Sequence, residues 1–266
     1  MQPPRPSTRD PVLAIGRACA ISAALICFLP IPLLLAVATS DTWQQGPWTD
    51  GVTLRWLGAS WATVAPFAAY SLRLALTTLL LNVLIGLPAA YALARSRFPG
   101  RPVVRALIGL PLAVPGIALA LALILAYPTW RGGGWLLVAG HVLYTLPFFV
   151  GALVPALAAP DLREREAAAA TLGADPLRRL VFVTLPGIRT ALLAAAIIVV
   201  TLSLGEFNVS FFLFAPTAKT LPVDLYAAYI TGRLEIAAAA TVWFILLVIP
   251  AAAVIEYLGG ARIGQA

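Results

Sequence analysis

His141, Cys19, Cys27, Lys219 and Glu206 are the residues of this chain from which chemistry could start, and their spacing argues against covalent catalysis. His141 is the only histidine, so no pair of imidazoles can collect a metal and no His-Glu-x-x-His motif exists. It falls inside a long apolar run, where a lone polar residue is satisfied by its neighbours. Cys19 and Cys27 stand two helical turns apart in another apolar run and cannot pair, so they are packing residues. Lys219 is the only lysine. It sits in Ala215-Pro216-Thr217-Ala218-Lys219-Thr220, which lacks the glycines of a phosphate-cradling loop. The chain is therefore not an enzyme and binds neither nucleotide nor metal itself, and it needs no cofactor of its own.

Glu206 is different, because it lies within an apolar segment, in Ser203-Leu204-Gly205-Glu206-Phe207-Asn208. A carboxylate there is costly and faces a helix bundle or an aqueous cavity by default. Three readings stay open: Glu206 is shallow enough to be hydrated, it pairs with Arg73 or Arg233, or Glu206 and Asn208 line a translocation path. Gly205 would then let the helix kink or approach a neighbour closely.

The elements that hold these residues are membrane helices. The chain is 61% hydrophobic and 11% charged, whereas soluble domains average roughly 45–50% and about 25%. A crossing helix needs about 20 mostly apolar residues. Six such runs are expected, near 15–38, 67–94, 103–126, 135–157, 188–212 and 236–258. They are too long, and apolar all round, for the alternating strands of a barrel. The fold class is thus an all-α membrane protein with six transmembrane helices and a helix-turn-helix between helices 4 and 5. Residues 1–14 and 259–266 form tails around the membrane domain 15–258, and the loop runs over 159–187. The first run has a cleaved signal peptide as its rival. Its length, and the want of a small-x-small cleavage site, favour a retained helix.

Charge sets the topology. With the N-terminus inside and six crossings, 13 of the 18 basic residues fall inside, as the positive-inside rule requires. Both termini are then cytoplasmic. The net charge of +7 reflects this bias, since the arginines flank apolar runs instead of forming a surface for nucleic acid. Four tryptophans within 40–62 suit a membrane interface.

The segment from Glu164 to Pro186 reads as two short helices about a sharp turn. Asp161, after Pro160, is the expected N-cap of the first. Gly173 ends it in a left-handed cap. Asp175 and Pro176 restart a helix as N-cap and first residue, and Pro186 ends it. On the positive side of the membrane this is a docking element for a cytosolic partner, or an ordinary interfacial loop.

Anchored on Gly173, the segment resembles the "EAA" loop of inner-membrane permeases of binding-protein-dependent ABC importers. Ala168, Ala169, Gly173, Val183, Leu185 and Pro186 stand at that pattern's positions. Gly51–Trp56, Gly86–Leu93 and Thr220–Val223 are similar to the same family. One departure is that the pattern's glutamate falls on Ala167, while Glu166 lies one residue earlier, about 100° around a helix.

The resemblance implies an inner-membrane, multi-pass permease subunit that moves a small solute by alternating access. It implies a second permease subunit, identical or homologous, cytosolic ATP-binding subunits docked on Glu166, Ala168, Ala169, Gly173, Leu185 and Pro186, and an extracytoplasmic solute-binding protein. ATP is used by the partner. Similarity is greatest to the polyamine, thiamine, ferric-iron and aminoethylphosphonate group, and a polyamine is the first expectation for the solute. The alternative function is an ion-coupled secondary carrier or channel. The spans hold few charges, which argues against it.

Overall fold

The computed structural model describes residues 11–215 and 219–260. The outer parts of both expected tails, with Arg5, Arg9 and Arg262, lie outside the described residues.

The described residues are helical throughout, with one isolated antiparallel bridge between Ser40 and Val52. Helices α1 (Pro11–Phe28) and α2 (Pro30–Thr39) together make one apolar span over Val12–Thr39. Pro30 stands at the junction, where it cannot donate to the helical ladder. Helix α3 (Arg55–Leu81), a π-helical turn at Asn82–Gly86 and α4 (Leu87–Arg95) run on without a break for 41 residues. At about 1.5 Å per residue that is about 60 Å of helix, twice what one crossing of the hydrocarbon requires.

The third expected span is not straight. Helix α5 (Arg101–Gly109) and a 3₁₀ turn at Leu110–Leu112 meet α6 (Gly116–Ala126) at 108°. Pro111 and Pro115 remove two donors there and set the corner. Helix α7 (Trp135–Ala158) is one continuous span. After it come α8 (Pro160–Thr171), α9 (Pro176–Arg179), a π-helical turn at Leu180–Thr184 and α10 (Leu185–Gly187). The chain then bends by 71° into α11 (Arg189–Gly205). The fifth expected span also departs from one rod, because it breaks at Glu206 and resumes as α12 (Asn208–Leu213). Helices α13 (Leu221–Thr231) and α14 (Leu234–Gly260) complete the chain. By length and composition three continuous helices can cross a membrane, or five if each bent pair is one span. The apolar stretch Leu234–Pro250 of α14 is shorter.

Contacts divide the chain into two units. The smaller joins residues 11–61 with 228–243. Its core packs Val37, Ala38 and Trp56 against Ala238, Ala239 and Val242. The Trp56 ring has the Arg55 guanidinium 4.2 Å and that of Arg233 5.0 Å from its centre, and its indole N–H donates to the Ser40 carbonyl at 3.0 Å. Glu235 accepts the Trp43 backbone N–H at 2.8 Å. A tryptophan expected at the lipid interface is therefore buried in this unit, paired to cations.

The larger unit covers residues 62–227 and the rest of α14. One core packs α4 against α7 and α11 around Phe149, Leu153, Leu157, Ala195 and Val199. A Cβ on Gly86 would come within 2.7 Å of the Phe149 ring, so only glycine permits this approach of α4 to α7. A second core joins Leu74, Ala120, Leu123, Leu136 and Leu137 to Val209 and Leu213 of α12.

Candidate functional site

Two constellations stand out in the larger unit. The first is the loop 159–187. Helix α8 ends in a Schellman motif: the Ala174 N–H donates to the Ala169 carbonyl and the Gly173 N–H to the Ala170 carbonyl, both at 3.0 Å. Gly173 has φ +83°, a conformation that costs a residue with a Cβ about 1–2 kcal/mol. Asp175 caps the next helix, accepting the Arg178 N–H at 2.9 Å with Pro176 at the first position. Local sequence rules foresaw both features.

Asp161 departs from expectation. The N-cap of α8 is Ala159, without a side-chain hydrogen bond. Pro160 takes the first helical position, which moves Asp161 inside the first turn. There it pairs with Arg165 one turn on, and the hydrogen bond from Arg165 holds its carboxyl below the usual carboxylate range.

Glu166 turns inward. Arg95, the last residue of α4, donates to Glu166 Oε1 at 3.0 Å, and Thr184 Oγ1 donates to the same oxygen at 2.6 Å. Arg163 adds a hydrogen bond to the Ala94 carbonyl at 3.2 Å. Leu162 is 2% exposed, and a Cβ on Gly187 would lie 2.6 Å from its Cδ1. These contacts fasten the loop to the end of α4. Ala167 and Ala168 are exposed, so the position that resembles the family's acidic residue presents a methyl group outward. Beside it lies an open groove of about 710 Å³, lined by Ala168, Ala169, Leu172, Phe182, Val183 and Pro186 among others. Leu172 and Phe182 are 88% and 75% exposed. The structure thus brings Ala168, Ala169 and Pro186 into one groove with Gly173 at the adjoining turn, and sets Glu166 on the opposite, anchoring face. Leu185 is half-buried beside Pro186.

The second constellation is the corner between α11 and α12. Glu206 is 6% exposed. Its two carboxylate oxygens accept the Val209 and Ser210 N–H groups, each at 2.8 Å. Neither Arg73 nor Arg233 is paired with it: Arg73 Nε donates to the Ala69 carbonyl, and Arg233 lies 3.7 Å from Glu235. Asn208 is exposed at the same corner. Of the two roles expected of Gly205, the helix does break just after it, while among the described residues a Cβ there would meet nothing within 4 Å. Gly116 and Gly140 make the close approach instead. A Cβ on Gly116 would lie 3.1 Å from Asn208 Cβ, and one on Gly140 would lie 2.7 Å from Val209. Helix α12 is therefore wedged between α6 and α7.

His141 is satisfied by its neighbours, as expected of a lone polar residue in an apolar run. It is fully buried, with Nδ1 2.8 Å from Ser203 Oγ and Nε2 2.9 Å from Ser210 Oγ. Ser203 lies on α11 and Ser210 on α12, either side of the break at Glu206, so helical spacing along the sequence did not announce this contact.

The fold as a whole is similar to that of a chain from a bacterial ABC transporter involved in the import of the acidic polysaccharide alginate. The two superpose with a TM-score of 0.70 over 96% of this chain and 99% of that one, at 17% identity. The family model "Binding-protein-dependent transport system inner membrane component" matches residues 82–262. The chain belongs to this family of inner-membrane transport permeases. This permease is 30% identical over 229 residues, 84% of its length and 86% of the relative's, to the spermidine/putrescine transport system permease protein PotC of Escherichia coli K12. It is 25% identical over 95% of its length to the putative 2-aminoethylphosphonate transport system permease protein PhnV of Salmonella typhimurium, covering 96% of that protein. It is 31% identical over 66% of its length to the sulfate transport system permease protein CysW of a Synechocystis strain, covering 70% of that protein. Membership makes the permease a transport component and not an enzyme. Its family is that of importers driven by ATPase subunits and served by solute-binding proteins.

Proposed function

We propose that this permease forms half of a translocation path for a polyamine such as spermidine or putrescine, and that loop 159–187 transmits the ATPase stroke to it. The observation that carries this reading is the build of the loop. It is tied to α4 by Arg95–Glu166 and to α11 through the α10 turn, while its other face offers a groove edged by Arg165 and Arg189, with Leu172 and Phe182 uncovered. Exposed leucine and phenylalanine at a polar boundary invite a protein partner. Motion imposed on the groove passes to α4 and α11 through a buried ion pair and a short rigid turn. The loop lies on the cytoplasmic side in this reading, which follows the arginine bias, with six crossings and both termini inside.

Three kinds of relative carry a polyamine, a phosphonate or a sulfate system in their names. The polyamine permease combines 30% identity with coverage of 84% of this chain. Asn208 is the exposed polar group at the α11–α12 corner, and the buried negative charge of Glu206 behind it favours an amine over an oxyanion. The partners are then a second permease subunit, identical or homologous, two cytosolic ATP-binding subunits and an external solute-binding protein.

The test is uptake of radiolabelled spermidine by cells expressing the permease with the transport genes beside it. Spermidine should compete with itself, and 2-aminoethylphosphonate and sulfate should not. Competition by sulfate alone would reject the polyamine reading. Topology is checked separately with reporter fusions at Gly46 and Gly133, expected outside, and at Gly173, expected inside; an inside signal at Gly133 would overturn it.

A further inference from the structure

The geometry points to His141 as a positioning residue for transport: its imidazole clamps the two halves of the broken fifth helix, one ring nitrogen on each half. In a continuous helix the Val209 and Ser210 N–H groups would bond the Gly205 and Glu206 carbonyls. Here both go to the Glu206 carboxylate, and Glu206 itself is extended, with φ −73° and ψ 120°. The ladder is interrupted, so the backbone alone does not set the angle between α11 and α12.

His141 supplies the missing constraint. Ser203 lies on α11 and Ser210 on α12, and each holds one nitrogen of the same rigid ring. A neutral imidazole has one donor and one acceptor, and a hydroxyl can be either, so both bonds are satisfied in either tautomer. The clamp is backed from behind. Thr145 Oγ1 donates to the His141 carbonyl at 2.7 Å and accepts from Asn82 Nδ2 at 2.8 Å, which ties α7 to the π-helical turn after α3. His141, Ser210, Thr145 and Asn82 are 0% exposed and Ser203 is 3% exposed. In a membrane no water replaces a lost bond. Packing alone would be served as well by apolar residues. A polar ring spanning a helix break adds a defined angle, and this angle places the Glu206–Asn208 corner. What the corner does there rests on the reading that it lines the solute path, but the clamp does not.

The test uses the complete importer, with its ATPase and binding-protein partners, in lipid nanodiscs. The readout is the ratio of ATP hydrolysis with and without loaded binding protein. General destabilisation lowers both rates and leaves the ratio. Loss of the clamp uncouples the corner and collapses it. Ser203→Ala and Ser210→Ala should each lower the ratio about threefold or more, the factor given by about 0.6 kcal/mol, a typical hydrogen bond between membrane helices. The double variant should be no worse than either single, because a clamp missing one jaw is already open. A smaller fall in both singles, or a double loss equal to the product of the two, would overturn the clamp. If the alanine variants do not accumulate, His141→Asn keeps the reach of Nδ1 and His141→Gln that of Nε2. Each retains one jaw and should show the same fall, and a wild-type ratio in both would overturn the clamp. The path reading is tested apart from this, by labelling Asn208→Cys with a membrane-impermeant thiol reagent after Cys19 and Cys27 are changed to serine. No labelling would sink the path and leave the clamp result standing.

Discussion

Arg95 and Glu166 stand 3.0 Å apart with only 12% of each side chain exposed, and this pair joins the end of α4 to the loop that follows α7. Arg95 Nε is buried without a partner of its own, so the guanidinium depends on Glu166 for its charge balance. A buried pair broken from one side leaves an uncompensated charge, at a typical cost of about 3–5 kcal/mol. Glu166→Ala should therefore lower the thermal midpoint in detergent sharply. The double change Arg95→Met with Glu166→Leu should be much milder. Equal losses from Glu166→Ala and the double variant would show that the pair is not the anchor.

Gly173 predicts a different pattern, in which the fold survives and the partner is lost. A Cβ there would touch nothing within 4 Å, so the cost of substitution is confined to the backbone at φ +83°. Gly173→Val should cost about 1–2 kcal/mol, and Gly173→Asn distinctly less, since asparagine visits this region more readily. Co-purification of the ATPase should follow the same order. Undiminished retention with valine would count against the loop as the docking element.

Glu206→Gln removes a charge and one acceptor while keeping size. The amide can accept one of the two N–H groups of α12, but its NH₂ faces the other. Hydrogen bonds to a charged group contribute about 1.5–3 kcal/mol, so the thermal midpoint should drop and uptake with it. Stability unchanged and uptake intact would mean that the carboxylate serves neither the cap nor the path.

Gly140→Ala places a methyl 2.7 Å from Val209 and 2.8 Å from Leu213. Overpacking of this kind costs typically about 1–3 kcal/mol. Gly205→Ala meets open space, and alanine is the better helix former by up to about 1 kcal/mol. The two variants should move the thermal midpoint in opposite directions. A shared direction would mean that α12 is not wedged where the glycines place it.

The glycine cap at Gly173 and the aspartate cap at Asp175 were determined by the sequence alone, whereas 103–126 read as one span and its corner at Pro111 and Pro115 came only with the structure. Each cap depends on residues within about one turn of each other, where backbone sterics and the loss of an amide donor act without help from the rest of the chain. The apolar runs likewise follow from composition, because a lipid environment demands self-satisfied helices of a set length. Asp161 shows the margin of such rules, since a proline one residue earlier moves the cap by two positions.

Only the tertiary structure decided what the isolated polar residues do. His141 and Ser203 are 62 residues apart, Asn82 and Thr145 are 63 apart, and Arg95 and Glu166 are 71 apart. No local pattern encodes which helix faces which. Glu206 read as hydrated, paired with an arginine or lining a path, and it found two backbone N–H groups four residues or fewer away once the helix broke. The break itself is held by α6, α7 and the imidazole of His141, contacts that exist only after the helices have packed. Periodicity and caps are short-range physics and can be read along the chain, whereas the partner of a buried polar group is chosen by packing in three dimensions.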